Sequence, residues 1–259
     1  ATAVINCAVC KHDVAQDPAE VTDFIATRTV QVIGRACAER GVRLLQMSTD
    51  VVFDGASGAY AEDAPTSPLL HYGAAKVAME TGLLAIEGLD VSLLRTSLIL
   101  TLEPSLDALL GANPRRSKCA HFCVSRSVAA SQEGKQADFF SDEIRSVTLG
   151  SDLAAALVAL ACLPEDAFRE AAAGVLNLVA SNAISRLDLA NGLLEYYGPQ
   201  LDAKGERPTV GSSLSREVFG GKRPLDCSLA TERYEGLVAK YGIPPLRPVL
   251  PVLLAGPWP

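Results

Sequence analysis

The fold is decided by a stretch in which apolar side chains give way to hydroxyl and carboxyl groups, Leu44-Leu45-Gln46-Met47-Ser48-Thr49-Asp50-Val51-Val52-Phe53-Asp54-Gly55. Its apolar beginning predicts a buried strand over Val42–Ser48, and its polar middle lies where that strand ends. In open sheets of parallel strands, ligands bind just outside the carboxyl ends of the strands. A hydroxyl there, such as that of Thr49, can hydrogen-bond the carbonyl or alcohol oxygen of a substrate.

Strands and helices are predicted to alternate on both sides of this stretch. Apolar runs predict two further strands, at Ala3–Ala8 and Val91–Ser97. Helical patterns separate the strands, and we predict helices at Pro18–Phe24, Thr29–Arg40 and Ala74–Glu87. Strands separated by helices in this way pair in parallel, with helices on both faces of the sheet. The sequence therefore predicts a doubly wound parallel α/β sheet.

A tyrosine and a lysine stand four residues apart at the start of the last of these helices, in Tyr72-Gly73-Ala74-Ala75-Lys76. Side chains at this spacing share one face of a helix. A neighbouring ammonium lowers the pKa of a phenol from its usual value of about 10, so the tyrosine can exchange a proton with a ketone or an alcohol. A mere surface pair is the alternative, because this spacing is common by chance. The strand-end hydroxyl of Thr49 favours the catalytic interpretation.

Composition and charge argue against two classes of function. The net charge is −7, and basic residues cluster only in the short run Arg115, Arg116 and Lys118, which we interpret as a solvated loop. A nucleic-acid surface requires clustered basic residues, and a transmembrane helix requires about 18 consecutive apolar residues. We therefore expect neither nucleic acid nor membrane as a partner. The seven cysteines fit reduced thiols in the cytoplasm better than a disulfide framework.

Two cysteine patterns raise the question of a metal or redox site. Cys7-x-x-Cys10 has the spacing of such a pair, but its position at the end of a core strand favours buried packing. Cys119-x-His121-x-Cys123 resembles half of a metal site, yet no second ligand pair follows at a suitable spacing. We predict that the protein holds no metal.

Taken together, the motifs resemble the extended short-chain dehydrogenase/reductases that modify nucleotide sugars, in particular the dTDP-4-dehydrorhamnose reductase branch. The Ser-Thr-Asp-x-Val-Phe-Asp-Gly box of that family is matched by Ser48–Gly55. Its Tyr-Gly-x-x-Lys-x-x-x-Glu run is matched by Tyr72–Glu80, and its Arg-Thr-Ser strand end by Arg95–Ser97. Less specific matches cover the first strand and three later elements, at Val4–Ala8, Asp142–Ser146, Ile184–Arg186 and Arg223–Asp226.

This resemblance implies an oxidoreductase that acts on CH–OH groups and reduces a nucleotide-linked 4-keto-6-deoxy sugar with NADPH or NADH. Tyr72 would donate a proton to the keto oxygen, and Thr49 would orient that oxygen, with Ser48 as the alternative. Lys76 would hold the nicotinamide ribose and tune Tyr72. The implied cofactor contacts are Asn6, Cys7, Ala8, Ser48, Tyr72, Lys76, Arg95, Thr96 and Ser97. The implied substrate contacts are Asp50, Val51, Arg145 and Arg223, the two arginines on the diphosphate.

On this basis we divide the chain into three parts. Residues 1–101 would form the C-terminal half of an NAD(P)-binding Rossmann domain with the catalytic residues. Residues 102–136, with prolines and weak periodicity, would form a loop or insertion. Residues 137–259 would form a smaller α/β substrate-binding part that returns one strand and one helix to the sheet. In it we predict helices at Ser151–Cys162 and Ser185–Tyr197, a strand at Gly174–Val179, and an extended Pro-rich segment from Ile243 onward.

The sequence departs from the family pattern at its beginning. The family starts with a strand, a Gly-rich loop and a helix that bind the cofactor pyrophosphate, and no such fingerprint opens this sequence. We therefore expect that the sheet lacks its first strands and that cofactor binding by this chain is impaired. The Asn that many relatives carry in the second helix is replaced near Ala26 or Thr27, which weakens the argument for a complete catalytic tetrad.

A function of a different class is the alternative. The regulatory beta subunit of methionine adenosyltransferase shares this fold and is similar over the same motifs, but it binds NADP and a partner enzyme and has no known turnover of a sugar. The expected partners are thus a nucleotide-sugar substrate and a second copy of the chain, or under the alternative the methionine adenosyltransferase catalytic subunit. The intact set of Thr49, Tyr72 and Lys76 favours an enzyme.

Overall fold

The computed structural model describes residues 2–8, 24–111 and 118–256. In chain order the strands are β1 (Ala3–Asn6), β2 (Arg43–Thr49), β3 (Val91–Thr96), β4 (Ile99–Leu100), β5 (Ala137–Phe140), β6 (Ile144–Arg145), β7 (Thr148–Leu149), β8 (Gly174–Asn177), β9 (Ile184–Ser185) and β10 (Val210–Ser213). The α-helices are α1 (Val30–Glu39), α2 (His71–Leu84), α3 (Leu106–Gly111), α4 (Lys118–Gln132), α5 (Gly150–Ala161), α6 (Glu165–Ala167), α7 (Arg186–Tyr196), α8 (Gly198–Ala203), α9 (Ser215–Phe219), α10 (Glu232–Tyr241) and α11 (Val249–Leu254). Shorter helical turns cover Phe24–Thr29, Asp50–Val52 and Phe168–Ala172.

The main sheet has four parallel strands in the order β1-β2-β3-β8. Helices cover both faces. On one face α1 and α2 pack against inward-facing residues of β2 and β3 such as Leu44 and Leu93. On the other face α5 and α10 pack against Leu45 and Leu94, the alternate residues of the same strands. The predicted doubly wound parallel α/β sheet is confirmed.

Parallel pairing brings the polar strand ends to one edge of this sheet. Thr49 at the end of β2 lies in register with Thr96 at the end of β3. Likewise, Asn6 pairs in register with Gln46. We predicted that α2 begins at Ala74, but it begins three residues earlier, at His71. Its first turn therefore lies next to this edge, with Gly73 close to Val51.

A small sheet pairs β4 of the N-terminal part with β7. The C-terminal part, over its described residues, contains two more sheets of two strands each, β5 with β10 and β6 with β9. Its core includes residues from β5, α4, α7 and α11. Residues 102–136, which we predicted as a loop or insertion, form α3 and α4 over their described part. The prediction missed α4 because exposed polar residues interrupt its apolar positions, although Ala120, Val124 and Val128 recur every fourth residue and are buried.

The Pro-rich end of the chain is a second correction. We predicted an extended segment, but Val249–Leu254 is the helix α11, with Val249 and Leu253 buried one turn apart. Pro251 is tolerated because it lies in the first turn, where backbone N–H groups have no acceptor inside the helix.

Several sequence predictions lie outside the described residues. They concern Cys10, the helix Pro18–Phe24 except for its last residue, and the basic residues Arg115 and Arg116. No helix in the described part of the chain combines the length and the hydropathy that crossing a bilayer requires.

Candidate active site

Thr49 ends the buried strand β2 and opens the turn Asp50–Val52. Its hydroxyl accepts a hydrogen bond from the backbone N–H of Val51 at 3.4 Å and donates one to Asp50 Oδ1 at 3.1 Å. Only 8% of the residue is exposed. Two bonds of this kind fix the direction of the hydroxyl at the carboxyl edge of the sheet, where we predicted a substrate oxygen to bind.

Tyr72 and Lys76 lie on the face of α2 that meets this strand end. Lys76 is 4% exposed, and its Nζ donates to the backbone carbonyl of Met47, two residues before Thr49, at 3.1 Å. The same Nζ lies 5.8 Å from the centroid of the Tyr72 ring. The structure thus brings together the strand and the helix that carry the three predicted catalytic residues. Their catalytic roles stay a prediction.

Gly73 allows the close approach between α2 and the turn after Thr49. A Cβ at this position would lie 2.1 Å from the carbonyl oxygen of Val51 and 2.8 Å from the Cβ of Pro68. Neither distance is sterically possible, and backbone cannot yield as a flexible side chain can. The sequence Tyr-Gly therefore sets how near the phenol comes to the strand end.

We expect the substitution Gly73→Ala to push the first turn of α2 away from Val51. The expected result is a loss of about 1–3 kcal/mol in the free energy of unfolding, from overpacking. A misplacement of about 1 Å at a reacting group can also lower turnover by about 100-fold. Urea denaturation and steady-state kinetics measure the two effects.

The matched control is Gly236→Ala in α10. A Cβ at Gly236 meets no atom within 4 Å. Because alanine favours helix over glycine by about 0.5–1 kcal/mol, this variant should be slightly more stable and fully active. If Gly73→Ala behaved in the same way, the close approach would have no role in placing Tyr72.

Asp50 and Arg145 form a buried ion pair beside Thr49. Arg145 Nε lies 3.5 Å from Asp50 Oδ2, and the two side chains are 5% and 6% exposed. The Asp50 carboxylate also accepts the Ser97 hydroxyl. Burial raises the pKa of Asp50 above its usual value, although Arg145 and the hydroxyl donors of Ser97 and Thr49 oppose this.

Arg145 has further partners that explain its position. Its Nη1 donates to the carbonyl oxygens of Ile144 and Leu225, each at 2.6 Å, and its Nη2 to that of Pro224 at 2.9 Å. We predicted Arg145 as a diphosphate ligand and Asp50 as a substrate contact. Their burial and mutual pairing favour a structural role, in which Arg145 fastens the turn after Thr49 to the segment around Leu225.

Ser48 and Arg95, which we predicted as cofactor contacts, both bind Glu80 of α2. The Ser48 hydroxyl donates to Glu80 Oε1 at 2.5 Å. Arg95 donates from Nε to Oε1 at 3.1 Å and from Nη2 to Oε2 at 2.8 Å. All three residues are 4% exposed. In this arrangement their polar groups hold the helix against β2 and β3.

Other polar atoms at the strand ends suit a polar cofactor. Thr96 Oγ1 and Asn177 Oδ1 are buried, and neither has a hydrogen-bond partner among the described residues. Buried polar atoms normally have a hydrogen-bond partner, and a bound cofactor would supply the partner that these two atoms lack. At the end of β1, Asn6 Nδ2 donates to Gln46 Oε1 at 2.7 Å and Asn6 Oδ1 accepts from the N–H of Ala8 at 3.1 Å. Cys7, which we predicted to be buried, is exposed at the same edge, because it follows the last residue of β1.

Arg186 is a candidate that the sequence reasoning missed as a site residue. It begins α7, and its Nε lies 3.5 Å from Glu143 Oε2. Arg223 lies on the same carboxylate, with Nε 3.1 Å from Glu143 Oε1. Glu143 is 1% exposed, and Arg186 and Arg223 keep 26% and 37% of their side chains exposed. A buried acid thus holds two partly exposed guanidinium groups together.

The cysteines of the predicted half metal site lie on α4. Cys119 and Cys123 share one face of the helix, and Cys123 is buried in the core. A hydrogen bond with Cys119, together with burial, raises the pKa of the Cys123 thiol well above its ordinary value. The described residues contain no group of three or more His, Cys, Asp or Glu side chains placed to hold a metal ion.

Comparisons with known proteins identify the family. The model of the RmlD substrate binding domain family matches residues 1–244. The dTDP-4-dehydrorhamnose reductase of Mycobacterium tuberculosis is 31% identical over 226 residues, which cover 82% of this chain and 67% of that protein. The dTDP-4-keto-6-deoxy-D-glucose reductase of Streptomyces niveus is 28% identical over 249 residues, which cover 95% of this chain and 75% of that protein.

A solved structure supports the same conclusion at the level of the fold. The dTDP-4-dehydrorhamnose reductase of Bacillus anthracis, solved in complex with NADP, matches with a TM-score of 0.71 and 19% identity, over 97% of this chain and 78% of that chain. Its fold agrees with the Rossmann-like sheet described above. Since the family model spans most of the sequence, as the motifs predicted, the chain belongs to the RmlD substrate binding domain family.

Proposed function

We propose that the protein reduces the keto group of a nucleotide-linked 4-keto-6-deoxy sugar, with NADPH or NADH as the reductant. The observation that carries this proposal is the buried Lys76 ammonium beneath the Tyr72 ring, placed against the strand that ends in Thr49. The relatives named above are reductases of dTDP-linked sugars, and they support the same substrate class.

The bound nicotinamide would supply the hydride, and the residues of this chain would place and protonate the substrate. The Tyr72 hydroxyl would give its proton to the sugar oxygen as that oxygen gains negative charge. Lys76, fixed by the carbonyl of Met47, would stabilise the resulting phenolate and bind the ribose hydroxyls. The Thr49 hydroxyl would turn from Asp50 to the keto oxygen and hold it toward Tyr72.

The cofactor would lie along the carboxyl edge of the sheet. At this edge, Thr96 Oγ1 and Asn177 Oδ1 are buried and have no hydrogen-bond partner among the described residues. The hydroxyl and amide groups of a nicotinamide cofactor would supply one. Asn6, Cys7 and Ala8 would line the same edge. Ser97 would act through Asp50, to which its hydroxyl donates.

The substrate diphosphate would bind Arg223, joined by Arg186. Each guanidinium is partly exposed and shares the buried Glu143 carboxylate with the other. One carboxylate leaves this pair of cations with a net positive charge, and guanidinium groups match the geometry of phosphate oxygens. Val51, half-buried beside Thr49, would contact the sugar.

Two other expectations stay predictions. One is a second copy of the chain as a partner, and the other is a cytoplasmic location. The regulatory role on methionine adenosyltransferase is less favoured, because the relatives reported above are reductases and because that role requires no proton donor beside a strand-end hydroxyl.

The test is an assay of NAD(P)H oxidation by the complete protein with a dTDP-4-keto-6-deoxy sugar. We expect turnover with this substrate and none with the same sugar lacking its nucleotide. The proposal fails if the protein binds NAD(P)H but consumes none of it with the nucleotide sugar. Copurification with methionine adenosyltransferase in that case would favour the regulatory alternative.

A further inference from the structure

The helix α2 presents three polar side chains on one face. Tyr72, Lys76 and Glu80 follow each other at intervals of four residues, about one helical turn. The first two are the proposed acid and its partner. Glu80 lies two turns from Tyr72 and is 4% exposed, so it is out of reach of a substrate at the strand ends. Its role must therefore be exerted through other residues.

Glu80 bridges the two central strands directly before their catalytic ends. It binds Ser48, the residue before Thr49, and Arg95, the residue before Thr96. Ser48 and Arg95 are themselves neighbours in register across β2 and β3. The Glu80 carboxylate thus attaches α2 to both β2 and β3, one residue before Thr49 and Thr96.

Arg95 is held in one orientation by more than Glu80. Its Nη1 donates to the carbonyl oxygen of Glu62 at 3.1 Å, and its guanidinium carbon lies 5.1 Å from the centroid of the Phe53 ring. The Arg95 guanidinium therefore has a fixed position, and α2 is attached to it through Glu80. Lys76 attaches α2 to β2 a second time, through its hydrogen bond to the backbone carbonyl of Met47.

A buried ion pair is a costly way to attach a helix for stability alone. Removing two charges from water offsets most of their attraction, and apolar residues of similar size often stabilise a fold as well or better. Apolar neighbours on the same helix, such as Met79 and Leu83, already supply that packing. What a carboxylate bound at both oxygens adds is geometry, because it fixes the position of the helix along the strands.

We propose that Glu80, bound to Arg95, is a positioning residue that sets the distance between the Tyr72 phenol and the Thr49 hydroxyl. This inference rests on the proposed function, which gives those two groups their roles. Glu80 touches neither substrate nor cofactor. It acts by holding α2 at one register against β2 and β3.

The test separates positioning from stability with the double variant Glu80→Met/Arg95→Met. Replacing both charges by apolar side chains of similar size should lower the melting temperature less than removing one charge of the pair, although the Ser48 hydroxyl and the Glu62 carbonyl each lose a bond. If Glu80 positions Tyr72, kcat falls by about 10-fold to 100-fold, while KM for the nucleotide sugar and the Kd for NADPH change by less than about twofold. A double variant with native kcat overturns the proposal, since the pair would then be only structural.

Two single variants complete the experiment. Glu80→Gln keeps an oxygen for Arg95 or Ser48, so it should retain more activity than Glu80→Met/Arg95→Met, and it replaces the double variant if that protein does not fold. Glu170→Gln is the matched control. Glu170 is an exposed carboxylate paired with Lys240, and its loss should leave kcat unchanged.

A measurement without substrate covers the case in which the native protein shows no turnover and the proposed function fails. The Tyr72 phenol is titrated by NMR of labelled tyrosine, with Tyr72→Phe to assign the signal. The double variant Glu80→Met/Arg95→Met leaves the net charge unchanged, so we expect a shift of this titration that comes from a changed distance between the Tyr72 phenol and the Lys76 ammonium and not from a lost charge. A Tyr72 titration that is the same in Glu80→Met/Arg95→Met as in the native protein would show that the Glu80–Arg95 pair does not set this geometry, and it overturns the inference.

Discussion

Replacing Tyr72 by phenylalanine is expected to lower kcat by about 10²–10⁴-fold, the usual contribution of a general acid. The substitution removes only the hydroxyl, and the ring keeps its place beside the Lys76 ammonium, 5.8 Å from its centroid. Hydride transfer to the carbonyl would leave an oxyanion that the Thr49 hydroxyl can hydrogen-bond but, as a much weaker acid than a phenol, cannot readily protonate. Single-turnover kinetics with NADPH and the nucleotide sugar measure the effect.

The matched control for this variant is Tyr241→Phe. Tyr241 is the last residue of α10, and its hydroxyl donates to the exposed Glu170 carboxylate, which is not part of the proposed site. That variant should keep native kcat. A Tyr72→Phe protein within about threefold of native kcat would mean that another group protonates the sugar, and general acid catalysis by Tyr72 would have to be abandoned.

Replacing Arg145 by methionine is expected to reduce the free energy of unfolding by about 3–5 kcal/mol, because it leaves the Asp50 carboxylate buried without its cation. The backbone carbonyls of Pro224 and Leu225 lose a donor at the same time. Chemical denaturation measures the loss. The comparison is Arg169→Met, which breaks ion pairs of an exposed arginine with Asp90 and Glu165 and should have little effect.

The pH dependence of the Arg145→Met variant identifies the cause. Burial already raises the pKa of Asp50, and without the cation this folded-state pKa rises further above the unfolded value. A group that holds its proton more tightly in the folded protein makes folding less favourable as pH rises. The deficit should therefore be largest above the folded-state pKa of Asp50 and shrink as pH falls through it.

A second substitution checks the same explanation. Asp50→Asn in the Arg145→Met background removes the buried charge, so part of the lost stability should return at neutral pH. A deficit that is independent of pH, and that Asp50→Asn does not relieve, would assign the loss to the carbonyls of Pro224 and Leu225 instead.

The sheet and the meeting of the catalytic strand with its helix were predictable because both follow from local periodicity. A buried run predicts a strand, the four-residue spacing of Tyr72 and Lys76 predicts one helix face, and parallel strands place their carboxyl ends together. Each of these rules uses residues that are close in the sequence. The family resemblance then joined Thr49 to the pair.

The partners of individual charges were not predictable in this way. We predicted Arg145 as a phosphate ligand because the sequence shows a guanidinium group and does not show which distant residues it contacts. Its pairing with Asp50 depends on how β6 packs beside the turn after β2, which no periodicity encodes. The same holds for Glu80, whose place in the family motif was visible while its bonds to Ser48 and Arg95 were not.

The loop that continues from the turn after Thr49, residues 55–60, is held by a segment far from it in the sequence, residues 224–230. The N–H of Asp226 donates to the carbonyl of Gly55, Tyr60 exchanges backbone hydrogen bonds with Ser228 and Ala230, and a Cβ at Gly55 would collide with Leu225.

During synthesis, the ribosome makes residues 55–60 long before residues 224–230, which contact them. Domains usually fold as units as they emerge, and contacts so distant in sequence slow that process. Residues 55–60 therefore gain these contacts only after residues 224–230 have been made, whereas β2 can pair with β1 and β3 before that. We therefore expect the loop beside the proposed active site to be among the last described parts of the chain to take its final shape.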